Sequence, residues 1–338
     1  MSQSKRNTGF FGASTSITVP ASDPFAVATS FRPNGTDADN EATANVFALY
    51  LQDQLTLSPR WKAIAGLRYD RFAVRFDDRR TTTTPVDLSR TDAAFSPRAG
   101  LIWSPAFGGT YYAAYSFAFL PSGEQLGLAT TTADLSPEKA RNYEVGGRWD
   151  LRPGLQLSAA LFRTDRDDVR VADPANPGLF VKTGRTRTEG VEIGLQGDVR
   201  PGWQVYGGYA HLDGRVETPI STGSAATPGS VLPAGRKLAL VPEDTLSLWN
   251  RVRLRDKWSA GVGVIHQSTA YATVSNAVRL PAFTRVDGAL YYDVSKTASL
   301  AFNLENVLDK EYFPTADNDN NLSPGSPRNL RVTLRVGF

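Results

Sequence analysis

Apolar and polar residues alternate through many stretches of this chain, most clearly in its last ten residues, NLRVTLRVGF (329–338). Because successive side chains of a β-strand point to opposite faces, this period of two predicts a strand with one apolar and one polar face. The same alternation occurs in NYEVGGRWDL (142–151), VEIGLQGDV (191–199) and TRVDGALYYDV (284–294), and no stretch of useful length has a helical period. The chain is therefore predicted to be all-β, with about 14 strands, the first near residues 9–19.

Connections between the predicted strands alternate between short and long. The short ones are SPR before Trp61, SPAFGG after Trp103, RPG at 152–154 and 200–202, RDK at 255–257 and SKTA at 295–298. The long ones cover roughly 20–41, 77–92, 120–139, 166–183, 213–240, 271–281 and 309–327. Tight turns at one end and long loops at the other indicate an antiparallel up-and-down transmembrane β-barrel, which must close because lipid cannot satisfy unpaired backbone groups.

Five of the six tryptophans lie within a few residues of a short connection, and only Trp249 lies further into a strand. The five are Trp61, Trp103, Trp149, Trp203 and Trp258. Indole rings favour the membrane interface, so the pattern predicts an aromatic girdle at the short-turn end. Tryptophan also anchors strand ends in soluble β-sandwiches, but strands this long with such uneven loops are unusual there.

The composition excludes several kinds of site. There is no Cys, and the two histidines, His211 and His266, lie far apart without a triad or metal motif. We therefore predict no enzyme, no metal site and no cofactor. A net charge of +3, from 37 basic and 34 acidic residues, does not predict a nucleic-acid partner. The glycines of AGVGV (260–264) alternate in a strand and predict close approach to its backbone. The acidic run DRDD (165–168) is interpreted as a solvated loop entrance, with a hard-cation site as the alternative.

The segment NVLDKEYFPTADNDNNLSPGSPRNLRVTLRVGF (306–338) resembles the C-terminal signature of TonB-dependent outer-membrane siderophore receptors. That signature reads Asn-(Leu/Val)-x-Asp-Lys-x-Tyr, then a loop, Gly-x-Pro-Arg and an alternating strand that ends on Phe. Five further stretches fit the family in order: LYLQDQLTLSPRW (49–61), SPRAGLIW (96–103), LSPEKARNYEVGGRWDL (135–151), GRTRTEGVEIGLQGD (184–198) and LVPEDTLSLWNRV (240–252). The resemblance runs from residue 43 onward and is greatest to ferric catecholate and ferrichrome-type receptors.

The resemblance implies a domain organisation. Receptors of this family have a 22-stranded barrel that surrounds a plug domain, preceded by a segment that contacts TonB. We expect residues 1–42 to hold a poorly defined first strand and a long loop, and 43–338 to be barrel, with the plug absent. Part of a 22-stranded barrel should form an open sheet with a gap between its first strand and the strand at 328–338. A smaller, closed barrel is the alternative.

The resemblance also implies a function: an outer-membrane receptor of a Gram-negative bacterium that captures a ferric siderophore and imports it with TonB. Further partners would be outer-membrane lipid, lipopolysaccharide and the barrel-assembly machinery, which would recognise Phe338. Cations and aromatic rings suit a large anionic chelate. Candidates on the long-loop side are Arg79, Arg80, Arg90, Arg170, Lys182, Tyr271, Tyr312 and Phe313. We expect Arg331 and Arg335 to face the lumen and pair with carboxylates such as Glu305. The alternatives are a passive porin-like channel and a TonB-dependent receptor for haem or cobalamin.

Overall fold

The structure, a computed structural model, describes residues 2–9, 39–79, 87–121, 136–172, 180–182, 184–223 and 228–337. For 2–9, 170–172, 180–182, 221–223 and 228–230 it describes the backbone alone. Regular structure in these ranges consists of strands. They are β1 (Ser2–Gly9), β2 (Asp39–Ser58), β3 (Trp61–Asp78), β4 (Leu88–Trp103), β5 (Thr110–Leu120), β6 (Glu138–Arg152), β7 (Leu155–Asp167), β8 (Arg170–Ala172), β9 (Phe180–Lys182), β10 (Arg185–Arg200), β11 (Trp203–Val216), β12 (Ile220–Gly223), β13 (Pro228–Leu232), β14 (Asp244–Arg255), β15 (Trp258–Gln267), β16 (Ala270–Tyr271), β17 (Arg279–Leu280), β18 (Phe283–Asp293), β19 (Ala298–Glu305), β20 (Thr315–Asn318), β21 (Asn321–Ser323) and β22 (Asn329–Val336).

Fourteen of the described strands form one sheet in the order β1-β2-β3-β4-β5-β6-β7-β10-β11-β14-β15-β18-β19-β22. This order confirms the all-β, up-and-down prediction. Among the described strands β1 and β22 end the order and the sheet does not close into a barrel, as predicted. The remaining strands form two-stranded sheets inside four long connections. The first described strand of the sheet is Ser2–Gly9, whose sequence SQSKRNTG has no apolar residue that alternation could mark. The strand predicted near residues 9–19 lies, apart from Gly9, outside the described residues.

The chain packs as two compact units. The first comprises 1–52, 66–97 and 118–138, and the second 53–65, 98–117 and 139–338. In the first unit β1 pairs with β2. Ala44 and Val74 form a small core there, against which Phe72, Phe76 and Leu88 pack. In the second unit two buried apolar clusters lie at the long connections; one of them includes Val216, the last residue of β11.

Strand register gives the sheet of the second unit two different faces. Val332 lies opposite Phe302 on one face, and Arg331 lies opposite Asn303 on the other. The face of Val332, the apolar face, also carries Val145, Leu161, Val191, Ile193, Leu195, Leu290, Leu330 and Leu334. The opposite, polar face carries Glu144, Arg148, Glu192, Gln196, Asp287, Glu305, Arg331 and Arg335. The predicted division of side chains is confirmed, and so is the pairing of Arg331 with Glu305, at 2.7 Å.

All six predicted short connections join strands at the same end of the sheet, where β22 also ends. Two of them have the sequence Arg-Pro-Gly. In each, proline occupies the second turn position, and the glycine after it has a positive φ, 82° at Gly154 and 79° at Gly202. A type II turn requires this arrangement, because an L-residue at its third position would be strained.

Aromatic rings cluster at the short-turn end, as predicted. Trp61 stacks on Trp103 with ring centroids 5.7 Å apart, and Tyr111 lies 5.4 Å from Trp103 and 5.7 Å from Trp149. The Trp149 indole N–H donates a hydrogen bond to the Tyr111 hydroxyl at 3.0 Å. Trp149 and Trp258 both lie on the apolar face.

Candidate functional site: the long connections and the polar face

Three long connections of the second unit pack together at the end of the sheet opposite the short turns. They follow β11, β15 and β19 and form the loop cluster, defined as 217–223, 228–243, 268–282 and 306–328. One buried core contains Val216, Ile220 and Val274. A second contains Ala272, Leu280 and Ala316. The connection after β15, here called the middle connection, contributes residues to both cores. Apolar burial therefore holds the three connections together.

Hydrogen bonds reinforce this packing. The Asn276 amide donates to the Lys237 carbonyl at 3.0 Å, and the Lys237 N–H donates back to Asn276 Oδ1 at 2.9 Å. Asp319 accepts hydrogen bonds from the hydroxyls of Thr273, at 3.0 Å, and Ser275, at 2.7 Å. The middle connection is therefore hydrogen-bonded to both of its neighbours.

The Lys237 ammonium lies between two carboxylates. It is 2.9 Å from Asp213 and 2.5 Å from Glu243. Partial burial lowers the pKa of Lys237, but the hydrogen bonds to Glu243 and Asp213 outweigh it and hold that pKa above its ordinary value. The Lys237 ammonium therefore forms two structural ion pairs, and we do not assign it a role in binding an external anion.

The C-terminal motif forms a clamp at the base of the last long connection. Asn306 is 1% exposed, and its amide donates to the carbonyls of Lys310, at 3.0 Å, and Ser326, at 3.1 Å. Asp309 Oδ1 accepts the Arg328 N–H at 2.9 Å. The two halves of the motif, which lie 19 to 20 residues apart, therefore hold the ends of one connection together.

Tyr312, from the same motif, is 8% exposed. Its ring lies 4.5 Å from Phe283, and its hydroxyl accepts a hydrogen bond from Arg285 at 3.0 Å. A Cβ at Gly325 would lie 2.2 Å from the Tyr312 ring, so only glycine fits there. Tyr312 anchors its connection to β18.

The structure brings three of the predicted ligand contacts into the loop cluster: Tyr271, Tyr312 and Phe313. Tyr271 lies 5.8 Å from the guanidinium of Arg279, a cation that sequence reasoning missed. Phe313 is 37% exposed. Arg279 could have been found only from its register opposite Tyr271 in the β16–β17 hairpin.

The other predicted contacts lie elsewhere. Arg79 and Arg90 belong to the first unit, where Arg79 pairs with Glu41, and Arg90 lies 2.7 Å from Asp92. Arg170 lies opposite Lys182 in the β8–β9 hairpin. The side chains of Arg170 and Lys182, and Arg80 and Phe338 entirely, lie outside what the structure describes. Ligand contact by these residues stays a prediction.

A concavity of about 800 Å³ lies on the polar face of the second unit. Its charged lining residues are Glu144, Arg148 and Glu192. Small residues make up much of the rest: Ser158, Ala160, Gly194, Gly208, Ala210 and Ser247. The Tyr112 hydroxyl donates a hydrogen bond to Glu144. Sequence reasoning missed this surface, since small residues spread over several strands form no motif.

Trp249 also lies on the polar face. Its indole ring covers Gly261 and Gly263, where an added Cβ would approach ring atoms to 2.5 and 2.4 Å. This confirms the prediction of close approach to AGVGV and shows that the approaching group is the chain's own tryptophan.

Within the described ranges, no helix has the length and apolar character needed to cross a membrane. The same ranges contain no group of three or more His, Asp or Glu side chains that could hold a metal ion.

Comparison with known proteins agrees with this architecture. The profile of the family described as "TonB dependent receptor-like, beta-barrel" matches residues 3–307. The chain belongs to this family of receptors.

Its relatives include the probable TonB-dependent siderophore receptor PiuA of Acinetobacter baumannii, 28% identical over 312 residues that cover 89% of this chain and 41% of the relative. The metal-pseudopaline receptor CntO of Pseudomonas aeruginosa is 28% identical over 338 residues, 95% of this chain and 46% of the relative. The crystal structure of the ferric-catecholate import receptor Fiu from Escherichia coli K12 superposes with a TM-score of 0.75 at 23% identity, over 99% of this chain and 50% of that one. The chain thus spans less than half the length of the curated relatives named here.

Proposed function

We propose that this protein acts as a TonB-dependent receptor for ferric siderophores in the outer membrane of a Gram-negative bacterium. The observation that carries the proposal is the family match over 3–307. Relatives named as siderophore receptors support it. Transport, and not catalysis, is the role proposed for the site.

In this proposal the apolar face contacts lipid and the polar face lines the lumen. Val332, at 55% exposed, and Leu334, at 62%, are typical of a surface covered by acyl chains and not by protein. The tryptophans at the short-turn end would lie at the periplasmic interface. Phe338 is proposed to be the residue read by the barrel-assembly machinery, and TonB and lipopolysaccharide remain the other proposed partners.

The loop cluster is the proposed mouth of the receptor. Its two apolar cores and its hydrogen bonds make it a preorganised surface, which lowers the entropic cost of binding a large ligand. Tyr271 and Phe313 would meet the chelate from the cluster, and Tyr312 from its anchored position. Arg79, Arg80, Arg90, Arg170 and Lys182 remain proposed contacts for its negative charge.

The chemical class of the substrate has two candidates. Likeness to a ferric-catecholate receptor favours an anionic aromatic chelate, which suits the predicted arginines and rings. Likeness to a metal-pseudopaline receptor favours a metal–pseudopaline complex. We favour the ferric catecholate, because the motif resemblance points the same way.

The proposal is tested in an iron-starved strain that lacks its own siderophore receptors. The complete reading frame that encodes this chain is expressed there, and growth is scored on ferric catecholates, ferric hydroxamates and metal–pseudopaline. We expect growth on a catecholate that depends on TonB. Growth in a tonB-deficient strain would favour a passive channel. Growth on haem, or uptake of cobalamin, without growth on any siderophore would instead indicate a receptor for haem or cobalamin.

A further inference from the structure

Three hairpins that follow one another in the sheet of the second unit each carry an arginine directly before a short turn. They are β6–β7, β10–β11 and β14–β15, and successive hairpins lie two strands apart, about 10 Å. Their arginines, here called the turn arginines, are Arg152, Arg200 and Arg255. The same residue type thus recurs at the same place in three neighbouring hairpins.

A β-bulge lies just before the turn in each of these hairpins. The strand that leads into the turn shifts register there, between Asp150 and Arg152, between Asp198 and Arg200, and between Arg253 and Arg255. The residue before each bulge lies on the polar face. Strict alternation would place the turn arginines on that face too, but a bulge re-aims the side chain that follows it.

Cross-strand partners show where the bulges aim the arginines. Arg200 lies opposite Trp203, and Arg255 lies opposite Trp258. Both tryptophans lie on the apolar face, and cross-strand partners share a face. The Arg200 guanidinium carbon lies 5.6 Å from the centre of the Trp203 ring. The third turn arginine lies opposite Leu155 of the same face.

The turn arginines are exposed, and within the described ranges none of them pairs with a carboxylate. Asp150 and Asp198 lie on the polar face, so the sheet separates them from the arginines. Asp256, next to Arg255, is the one acidic residue of the three turns, and Lys257 in the same turn offsets its charge. The turn arginines therefore form an unbalanced positive group.

The arginines at the other end of these strands differ, because they contact carboxylates. Arg187 lies 2.8 Å from Asp165, and Arg185 lies 3.0 Å from Asp167. An arginine held by a carboxylate has already made part of its hydrogen bonds, whereas an exposed guanidinium without one can take an external anion. The turn arginines are thus better placed to bind a ligand.

The level of the turn arginines along the strands points to that ligand. Arg152 follows Trp149 by three residues on β6, and Arg200 lies opposite Trp203. Indole rings lie at the boundary between the hydrocarbon and the headgroups of a bilayer. Arginine stems run along apolar surface while their guanidinium groups reach the polar layer. Lipid phosphates occupy that layer.

We propose that the turn arginines bind the phosphate groups of anionic phospholipids in the membrane leaflet at the short-turn end. Guanidinium groups bind phosphate through paired, charge-assisted hydrogen bonds, and the bulges hold them on the lipid-facing side of the sheet. The proposal rests on the proposed outer-membrane location but not on the identity of the siderophore.

The test is native mass spectrometry of the delipidated, detergent-purified receptor, expressed from its complete reading frame. The receptor should retain phosphatidylglycerol but not diacylglycerol with the same acyl chains. Arg200→Gln together with Arg255→Gln should weaken phosphatidylglycerol binding by about tenfold or more, because two charge-assisted contacts are lost. The matched control is Arg253→Gln with Arg335→Gln, two exposed arginines of the polar face, which should bind the lipid like the parent.

Arg152→Gln repeats the test at the third hairpin, so the proposal can be decided even if the double variant does not fold. Unchanged binding by the folded variants overturns the proposal. Equal weakening by the control pair would show an effect of net charge alone and also overturn it.

Two further arms identify the source of the anion. Inorganic phosphate that competes as well as phosphatidylglycerol would show a site for small anions and overturn the proposal. Loss of binding to isolated peptidoglycan by the double variant, with phosphatidylglycerol binding unchanged, would assign the arginines to the cell wall instead. Siderophore-dependent growth, measured separately, decides the proposed function independently of these results.

Discussion

At the scale of single residues, the C-terminal motif is a set of contacts rather than a binding site. Asn306 is fully enclosed and has a φ of 52°, a value that asparagine tolerates better than most residues. Asp309 and Arg328 close the same connection. The sequence pattern therefore reflects the need to hold this connection in place.

Gly325→Ala tests this clamp. The added Cβ would lie 2.2 Å from the Tyr312 ring, which must move out of its packing against Phe283. Overpacking of this kind costs about 1–3 kcal/mol, so the connection at 306–328 should become sensitive to protease. Gly288→Ala is the matched control, because its Cβ would make an ordinary 3.7 Å contact with Val307. Equal protease resistance of both variants would show that Tyr312 has room to move.

At the scale of elements, the long connections differ from ordinary surface loops because they contain their own hairpins and buried cores. Asp319 links the third connection to the second, and Asn276 links the second to the first. These links predict that the three connections gain and lose order together.

A double-mutant cycle measures that coupling. Thr273→Val and Asp319→Ala remove the two ends of one hydrogen bond across the connections. Hydrogen exchange in 268–282 and 306–328 should show a coupling of about 0.5–3 kcal/mol. A cycle of Thr273→Val with Asp256→Ala, in the distant turn between β14 and β15, should be additive. Additivity in both cycles would contradict a single loop cluster.

The ion pairs of Lys237 predict a pH dependence. Since its pKa is raised in the folded protein, they contribute fully below the ordinary lysine value of 10.5 and are lost as pH rises through the raised value. Melting temperatures of the parent and of Lys237→Gln should therefore differ near pH 9, and the difference should shrink as the pH rises above 10.5. Lys257→Gln, exposed at the short-turn end, serves as control and should show no such convergence. If the melting temperatures of the parent and of Lys237→Gln differed by the same amount at every pH, the variant would have lost packing and not ion pairs.

At the scale of the whole molecule, alternation along each strand places apolar side chains on one face of the sheet and polar side chains on the other. In the proposed outer-membrane location, lipid would cover the exposed apolar face, which is favourable in proportion to the area removed from water. Charged groups on the polar face, such as Glu305 and Arg331, are paired in a way that suits an aqueous lumen.

Val332→Arg tests which face meets lipid. A charge near the bilayer midplane on the lipid side costs about 2–4 kcal/mol, so this variant should insert poorly into the outer membrane. Thr333→Arg, one residue away on the polar face, should insert like the parent. The amount of heat-modifiable folded receptor in isolated membranes gives the measurement. Normal assembly of Val332→Arg with failure of Arg331→Leu would reverse the two faces.

The strands, their two faces and the two classes of connection could be predicted because a period of two is a local property of the backbone. It needs no knowledge of what lies across the sheet. The family was recognisable for a related reason: the clamp residues Asn306, Asp309 and Arg328 lie within one short segment.

Tertiary structure alone decided how distant segments meet. Trp249 covers Gly261 and Gly263 of the neighbouring strand, and Asn276 and Asp319 join three long connections. Four arginines, Arg141, Arg163, Arg185 and Arg187, contact Asp165 and Asp167 from three strands. Register and packing create these neighbours, and one-dimensional patterns do not encode them. The run DRDD was interpreted as solvated, yet two of its aspartates hold four arginines, because cross-strand partners became visible only in the folded sheet.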